Sequence, residues 1–229
     1  MSLDLAAPAA GLRLWGLGTS RTLRPIWMML ELGLEWAQEE VLPRTPSMQG
    51  PAFRAVSPRG KVPILEDGAL CIGESALIAL YLADRDRERA AFAPAPGSEA
   101  RARHDEICWF VMTEMDAILY TIRRHEGLPE IYGASAVAVE AARAYFLRSC
   151  AELESRLQDG RAYLAGPAFQ VADLLAKTCL DWARSVCRIE LSADLLLYSA
   201  RIAERPAFIA AMKRNFTPAA MAALSGAPT

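Results

Sequence analysis

Neither charge sign dominates this sequence: Lys and Arg together number 25 against 27 Asp and Glu, a formal net charge of −2. Such a balance builds no field for a polyanion, so nucleic acid is not expected as a partner. Long apolar runs are missing too. The longest, such as Ala76–Ala83, fall far short of the roughly 18 residues that a bilayer span requires, and no membrane association is expected. Cysteines number only 5 (Cys71, Cys108, Cys150, Cys179, Cys187), widely spaced and without a C-x-x-C pair. That argues against a disulfide framework, a zinc site and a dithiol redox centre, and each is read as a small buried hydrophobe in a reducing compartment. Histidine is scarcer still. His104 and His125 are read as having no second ligand at i+3 or i+4, so no metal is expected. Residues 1–11 contain neither a basic n-region nor a long apolar h-region; they are read as a loose leader, and a cytoplasmic location is expected.

What is present is a chain of 229 residues, 53% of them hydrophobic, in which abundant alanine favours a helix-rich globule. Its character changes near residue 85. Before that point short β-type runs alternate with helical ones: Leu12–Trp15, a helix over Leu23–Leu32, a strand near Trp36–Val41, then Val62–Leu65 and Leu70–Ile72 joined by a Glu66-Asp67-Gly68 turn, and a helix over Ser75–Asp84. This order reads as a βαβ unit followed by a hairpin. Prolines 94 and 96 and the charged run before them mark residues 85–97 as a linker. From residue 98 to 229 only helical periodicity appears, including one long helix through Ile107, Phe110, Val111, Glu114 and Met115 and another over Ala141–Leu157. The fold class is therefore α/β plus all-α, with residues 12–84 as the first domain.

Three segments carry candidate chemistry. In Gly16-Leu17-Gly18-Thr19-Ser20-Arg21 the third glycine of a dinucleotide fingerprint is replaced by Arg21, so that reading is rejected. Leu23, Ile26, Trp27 and Leu30 share one helical face, and Pro25 is placed in the first turn, which sets the helix start near Thr22. Thr19 and Ser20 then lie just ahead of a helix N-terminus, where free N–H groups and the dipole stabilise an anion. In Lys61-Val62-Pro63-Ile64, Pro63 marks a loop-to-strand entry, an edge or a cis bond, and Val62 is left with backbone groups able to pair with an extended peptide. In Gly73-Glu74-Ser75 the serine opens a helix that can receive a carboxylate while Glu74 faces an ammonium. A small zwitterion fits both.

Ser20 with Arg24, the run Gly60-Lys61-Val62-Pro63-Ile64-Leu65 before Asp67-Gly68, Glu74-Ser75-Ala76 with Ile78 and Tyr81-Leu82, and later Leu164-Ala165-Gly166 with Ala172-Asp173 make the sequence resemble the glutathione S-transferase superfamily from about Leu12 to about Arg214. The resemblance implies a thioredoxin-like N-terminal domain that binds glutathione as co-substrate, a C-terminal helical bundle that shapes the electrophile site, and a homodimer. It makes Ser20 the hydroxyl that stabilises the thiolate, as in serine-type members, with Thr19 as the fallback. Pro63 would be the cis-proline, Val62 the backbone partner, Glu74 and Ser75 the γ-glutamyl socket, and Gln49 and Lys61 further contacts. Trp15, Trp109, Phe110 and Met115 are candidates for the electrophile site, and Tyr120 shares a helix with the last three.

One departure is Gln170, where the family has Ser or Thr capping the helix that carries Asp173. The implied activity is conjugation of the glutathione thiolate to small electrophiles, as in detoxification. The alternatives are a glutathione-dependent isomerase, peroxidase or dehalogenase, and a non-catalytic binding or regulatory relative. Neither residue 20 nor residue 23 is cysteine, so mixed-disulfide chemistry is not supported.

Overall fold

Strand β1 (Leu12–Trp15) turns Leu12 and Leu14 into the core and Arg13 and Trp15 to the opposite face, the period of two expected of a half-buried strand. It is the second strand of a four-stranded sheet ordered β2-β1-β3-β4. β2 (Trp36–Glu39) runs parallel to it, and β3 (Ile64–Asp67) and β4 (Leu70–Gly73) form an antiparallel hairpin on its other side. The hairpin turn falls on Gly68-Ala69, where Gly68 takes φ +59, so Asp67 remains in the strand and accepts from Tyr81 Oη at 2.8 Å. The structure is a computed structural model that describes residues 11–88 and 91–225. Most of the expected leader and two residues of the expected linker lie outside them.

The parallel pair requires a crossover, supplied by α1 (Ser20–Glu31). This helix starts two residues earlier than the sequence suggests. Thr19 is its N-cap: the Thr19 hydroxyl accepts from Thr22 N–H at 3.0 Å, and the Thr22 hydroxyl accepts from Thr19 N–H at 3.1 Å. Pro25 consequently sits in the second turn rather than the first, where it removes only the bond that the Arg21 carbonyl would have accepted. Every residue from Thr22 to Met29 is buried, because α1 lies between the sheet and the helical part of the chain. Trp27 packs its ring on Phe169 and Phe208, with centroids 5.4 and 4.8 Å away. Burying such side chains is worth roughly 1.5–3 kcal/mol each, and this joins both parts of the chain in one core.

After α2 (Pro51–Val56) and the hairpin, α3 (Ser75–Arg85) closes the first part. The expected long helix is one continuous run made of α4 (Glu99–Phe110), a widened π turn (Val111–Asp116) and α5 (Ala117–Gly127). Arg101 ties it to α3 by a 2.8 Å ion pair with Asp84. The remaining elements are α6 (Pro129–Tyr132), α7 (Ala136–Leu157), α8 (Val171–Ser185), α9 (Ala193–Ala203), α10 (Pro206–Asn215) and α11 (Pro218–Ser225). At the head of α8, Asp173 accepts from the N–H groups of Gln170 (2.9 Å) and Leu164 (2.8 Å) and from Tyr198 Oη (2.8 Å). Gln170 Oε1 is buried with no partner among the described residues, so the head of α8 is held by Asp173 rather than by the glutamine side chain.

Candidate functional site

The β1–α1 loop, the loop entering β3 and helices α5, α8, α10 and α11 enclose a cleft of about 690 Å³. Thr19, Ser20, Lys61 and Val62 all line it, so two of the three segments singled out in the sequence meet there. Gly16 permits the approach. At φ +121, a Cβ on it would stand 2.7 Å from Val62 Cβ, so only glycine lets the loop lie this close.

The structure separates the two hydroxyls that the sequence leaves together. The Thr19 hydroxyl is engaged in the cap, with Thr22 N–H and Thr22 Oγ1 each 3.0 Å away. Ser20 is the first residue of α1, half-buried at the cleft, and among the described residues its hydroxyl has no partner. The N–H groups of the first helical turn cannot be satisfied within the helix, so they add donors and the positive end of the dipole beside it. Across the cleft the Val62–Pro63 bond is cis, and Val62 N–H and C=O have no partner among the described residues.

Glu74 and Ser75 sit at the head of α3. Glu74 adopts φ +67, a conformation that non-glycine residues hold at some cost and that concentrates at binding sites, and its carboxylate is 70% exposed beside Arg59. Ser75 is buried, and its hydroxyl accepts from Arg24 Nη1 at 3.1 Å. Arg24 is completely enclosed. Its other donors meet Asp116 Oδ2 (2.7 Å), Thr178 Oγ1 (2.8 Å), Cys179 Sγ (3.3 Å) and Met112 Sδ (3.4 Å). Burial opposes both charges, but Arg24 and Arg21 hold the Asp116 carboxyl below its ordinary range, and Asp116 holds the Arg24 guanidinium above its own. Arg21 also pairs with Asp116 and lies over the Tyr120 ring at 4.5 Å. Asp116 closes the π turn, a helical irregularity that recurs at functional sites.

Asn215, the last residue of α10 and fully buried, fastens the Ser20 loop to the helical part. Its side-chain carbonyl accepts from Gly18 N–H (3.1 Å) and Thr22 Oγ1 (2.8 Å), and its amide donates to Thr19 O (2.9 Å). Asn215→Ala is expected to cost about 1–3 kcal/mol, a fall in Tm of roughly 2–12 °C in a thermal melt. Nothing in the sequence points to Asn215 or Asp116; their roles come from partners far along the chain.

The four aromatic and thioether candidates for a second-substrate wall do not line the cleft. Trp15 points to the other face of the sheet, stacking on Phe53 and donating from Nε1 to Glu66 at 2.6 Å. Trp109 is 49% exposed on the outside of α4, Met115 is sealed in the core, and Phe110 packs onto that core. The aromatic and apolar residues that do line the cleft are Tyr120, Tyr132, Trp182, Met212, Phe216 and Leu224, most of them on later helices. Pro63, Glu74, Ser75 and Gln49 lie outside the cleft lining, with Gln49 exposed beside Met48, which does line it.

His104 does have a companion at i+4, contrary to the sequence reading: ligand atoms of His104, Asp105 and Cys108 lie within 4.8 Å of one another. The ring nitrogens are engaged, Nδ1 with Asp105 at 2.9 Å and Nε2 with Ala172 N–H at 3.3 Å, joining α4 to the head of α8. Burial pushes Cys150 and Cys179 up to about 12 and Cys187 to about 11, so these thiols stay protonated and inert.

This arrangement, a four-stranded sheet with a cis-proline loop opposite a helix N-terminus and a helical domain over the cleft, is that of the thioredoxin-like transferases. Residues 20–85 match the glutathione S-transferase N-terminal domain family. A glutathione S-transferase of Pseudomonas putida is 30% identical over 65% of this chain and 65% of its own length, so the match takes in less than two thirds of that relative. A glutathione transferase of Methylococcus capsulatus superposes with a TM-score of 0.77 at 29% identity, covering 88% of this chain and 97% of that one. A sphingomonad glutathione S-transferase, solved as a complex with glutathione, gives 0.73 at 28% identity over 88% and 97%. Residues 20–85 thus belong to the glutathione S-transferase N-terminal domain family, and the chain shares the glutathione S-transferase fold over most of its length.

Proposed function

We propose that the protein is a glutathione S-transferase that activates the glutathione thiol at Ser20 and adds the thiolate to a small electrophile. The carrying observation is the Ser20 hydroxyl at the head of α1, which lines the cleft with the backbone of Val62, both without a partner among the described residues. A hydroxyl hydrogen bond and a helix N-terminus both favour S⁻ over SH. The thiol proton passes to solvent, the sulfur forms a bond to the electrophilic carbon, and the leaving group departs with its electron pair. Val62 supplies the strand-like pairing for the cysteinyl residue. Glu74 takes the ammonium, Ser75 and the head of α3 take the γ-glutamyl carboxylate, and Lys61 and Gln49 take the glycyl end. A binding module has no use for a free hydroxyl at this point, which favours the enzyme over a non-catalytic relative. Retention on immobilised glutathione followed by assay against a panel of electrophiles tests the reading; no retention and no turnover would refute it.

Glu74→Ala and Ser75→Ala are each expected to weaken glutathione about ten- to hundredfold by calorimetry, since each removes a charge-assisted bond of roughly 1.5–3 kcal/mol. Unchanged affinity in both variants sinks the socket. A homodimer in the cytoplasm completes the proposal. Leu77 on α3 and Trp109 on α4, 42% and 49% exposed, support a dimer face. Leu80 on α3 and Met112 in the π turn add nothing to that face, being taken up by their own chain: Leu80 is buried, and Met112 Sδ accepts from Arg24 Nη1. Sedimentation should show twice the 25.0 kDa monomer mass; a concentration-independent monomer contradicts it.

A further inference from the structure

The cleft carries more positive charge than glutathione can use. Arg21, Arg44, Lys61 and Arg123 line it against one carboxylate, Asp181, among the described lining residues. Arg21 is held by Asp116, and Asp181 is held by Lys177 at 2.5 Å. Arg44, Lys61 and Arg123 have no acidic partner among the described residues. If Lys61 meets the glycyl carboxylate, Arg44 and Arg123 remain. Arg44 is carried on the β2–α2 loop at φ +60, a strained conformation for a long side chain, and Arg123 is held on α5 by donating to Gly127 O at 3.1 Å. Burial and the neighbouring charge of Arg44 both press the Arg123 guanidinium below its ordinary range, a repulsion that an anion between them relieves. The rest of this wall is aromatic and aliphatic: Tyr120, Tyr132, Leu128, Ile131 and Trp182.

From this juxtaposition we propose that the second substrate is an electrophile with an apolar or aromatic body and an anionic group, a carboxylate or its equivalent, received by Arg44 and Arg123. The inference rests on the glutathione-transferase reading for the reaction that follows. An aryl halide of this kind reacts by formation of the S–C bond and loss of halide with its electron pair. The anionic group takes no part in the chemistry and serves to hold and orient the ring.

The test is a calorimetric titration of the full chain, loaded with glutathione, with two unreactive probes of the same shape, 3,5-dinitrobenzoate and 3,5-dinitrobenzamide. The benzoate is expected to bind at least tenfold more tightly at low ionic strength, with the advantage shrinking as salt is raised. In Arg44→Gln, Arg123→Gln and the double variant the benzoate-to-benzamide ratio should fall by about tenfold or more. Equal Kd values for the two probes overturn the proposal. So does a preference that survives in the variants while glutathione affinity falls, because the two arginines then serve the glycyl carboxylate. If glutathione itself does not bind, the transferase reading has failed, and the same pair of probes on the free protein still decides whether this wall selects anions.

Discussion

Arg24→Met is expected to destabilise the fold by about 3–5 kcal/mol, because it leaves the buried Asp116 with only the part-exposed Arg21 as ion-pair partner and deprives the Thr178 and Ser75 hydroxyls of their donor. For a chain of 229 residues that corresponds to a fall in Tm of roughly 6–20 °C, readable by circular dichroism. The pH dependence identifies the cause. The Asp116 carboxyl is held below its ordinary value by Arg24 and Arg21 against the opposing effect of burial. A depressed carboxylate stabilises the native state above its unfolded pKa, near 3.9, and that contribution is lost as pH falls through the folded value. The gap between the native protein and Arg24→Met should therefore be full at neutral pH and narrow below about pH 4. A gap that stays constant through this range would assign the loss to packing alone.

Ser20→Ala is expected to raise the pKa of the bound glutathione thiol by about one to two units and to slow turnover near neutrality about ten- to hundredfold. That is the equivalent of one charge-assisted hydrogen bond of roughly 1.5–3 kcal/mol. Glutathione affinity should stay nearly intact, because the γ-glutamyl and backbone contacts hold the peptide while the hydroxyl acts on the charged sulfur. The ascending limb of the pH–rate profile moves to higher pH, and the two enzymes converge once the thiol ionises unaided. Thr19→Val is the companion variant. Its hydroxyl caps α1, so it should lose about 0.5–2 kcal/mol of stability with little shift in the thiolate absorbance profile. If only the Thr19 variant shifts the profile, the catalytic role is Thr19's. If neither does, the backbone N–H groups or Arg21 stabilise the sulfur.

Local signals reached far in this chain. Alternating apolar residues placed β1, the Asp-Gly pair announced the hairpin, and a proline ahead of β3 marked the Val62–Pro63 bond that proves to be cis. Each depends on residues within a few positions of one another, so each can be read along the chain. The start of α1 was misplaced for an equally local reason. Pro25 is tolerated one turn further in than the N-terminal rule suggests, because Thr19 and Thr22 cap the helix reciprocally and tertiary packing on α3, α8 and α10 holds it.

What the sequence determined by itself was the fold class, the resemblance to a family and two of the three segments, Thr19-Ser20 and Lys61-Val62, that meet at the cleft, because these rest on short-range periodicity, turn chemistry and a distinctive order of motifs. The composition of the other wall was decided only by tertiary structure. Trp15 and Trp109 look like ligand-binding aromatics in a string of letters, but the sheet's alternation turns one away and the helix's outer face exposes the other. Tyr132, Trp182, Arg44 and Arg123 come together from a loop and three helices. The different surroundings of the Thr19 and Ser20 hydroxyls are likewise geometric: the first is engaged by a helix cap, and the second stands at the cleft with no partner among the described residues. Asn215, at the far end of the chain, holds the loop that presents it. No local pattern carries such information, because hydrogen bonds across almost two hundred residues exist only after the core around Trp27 has brought both halves of the chain together.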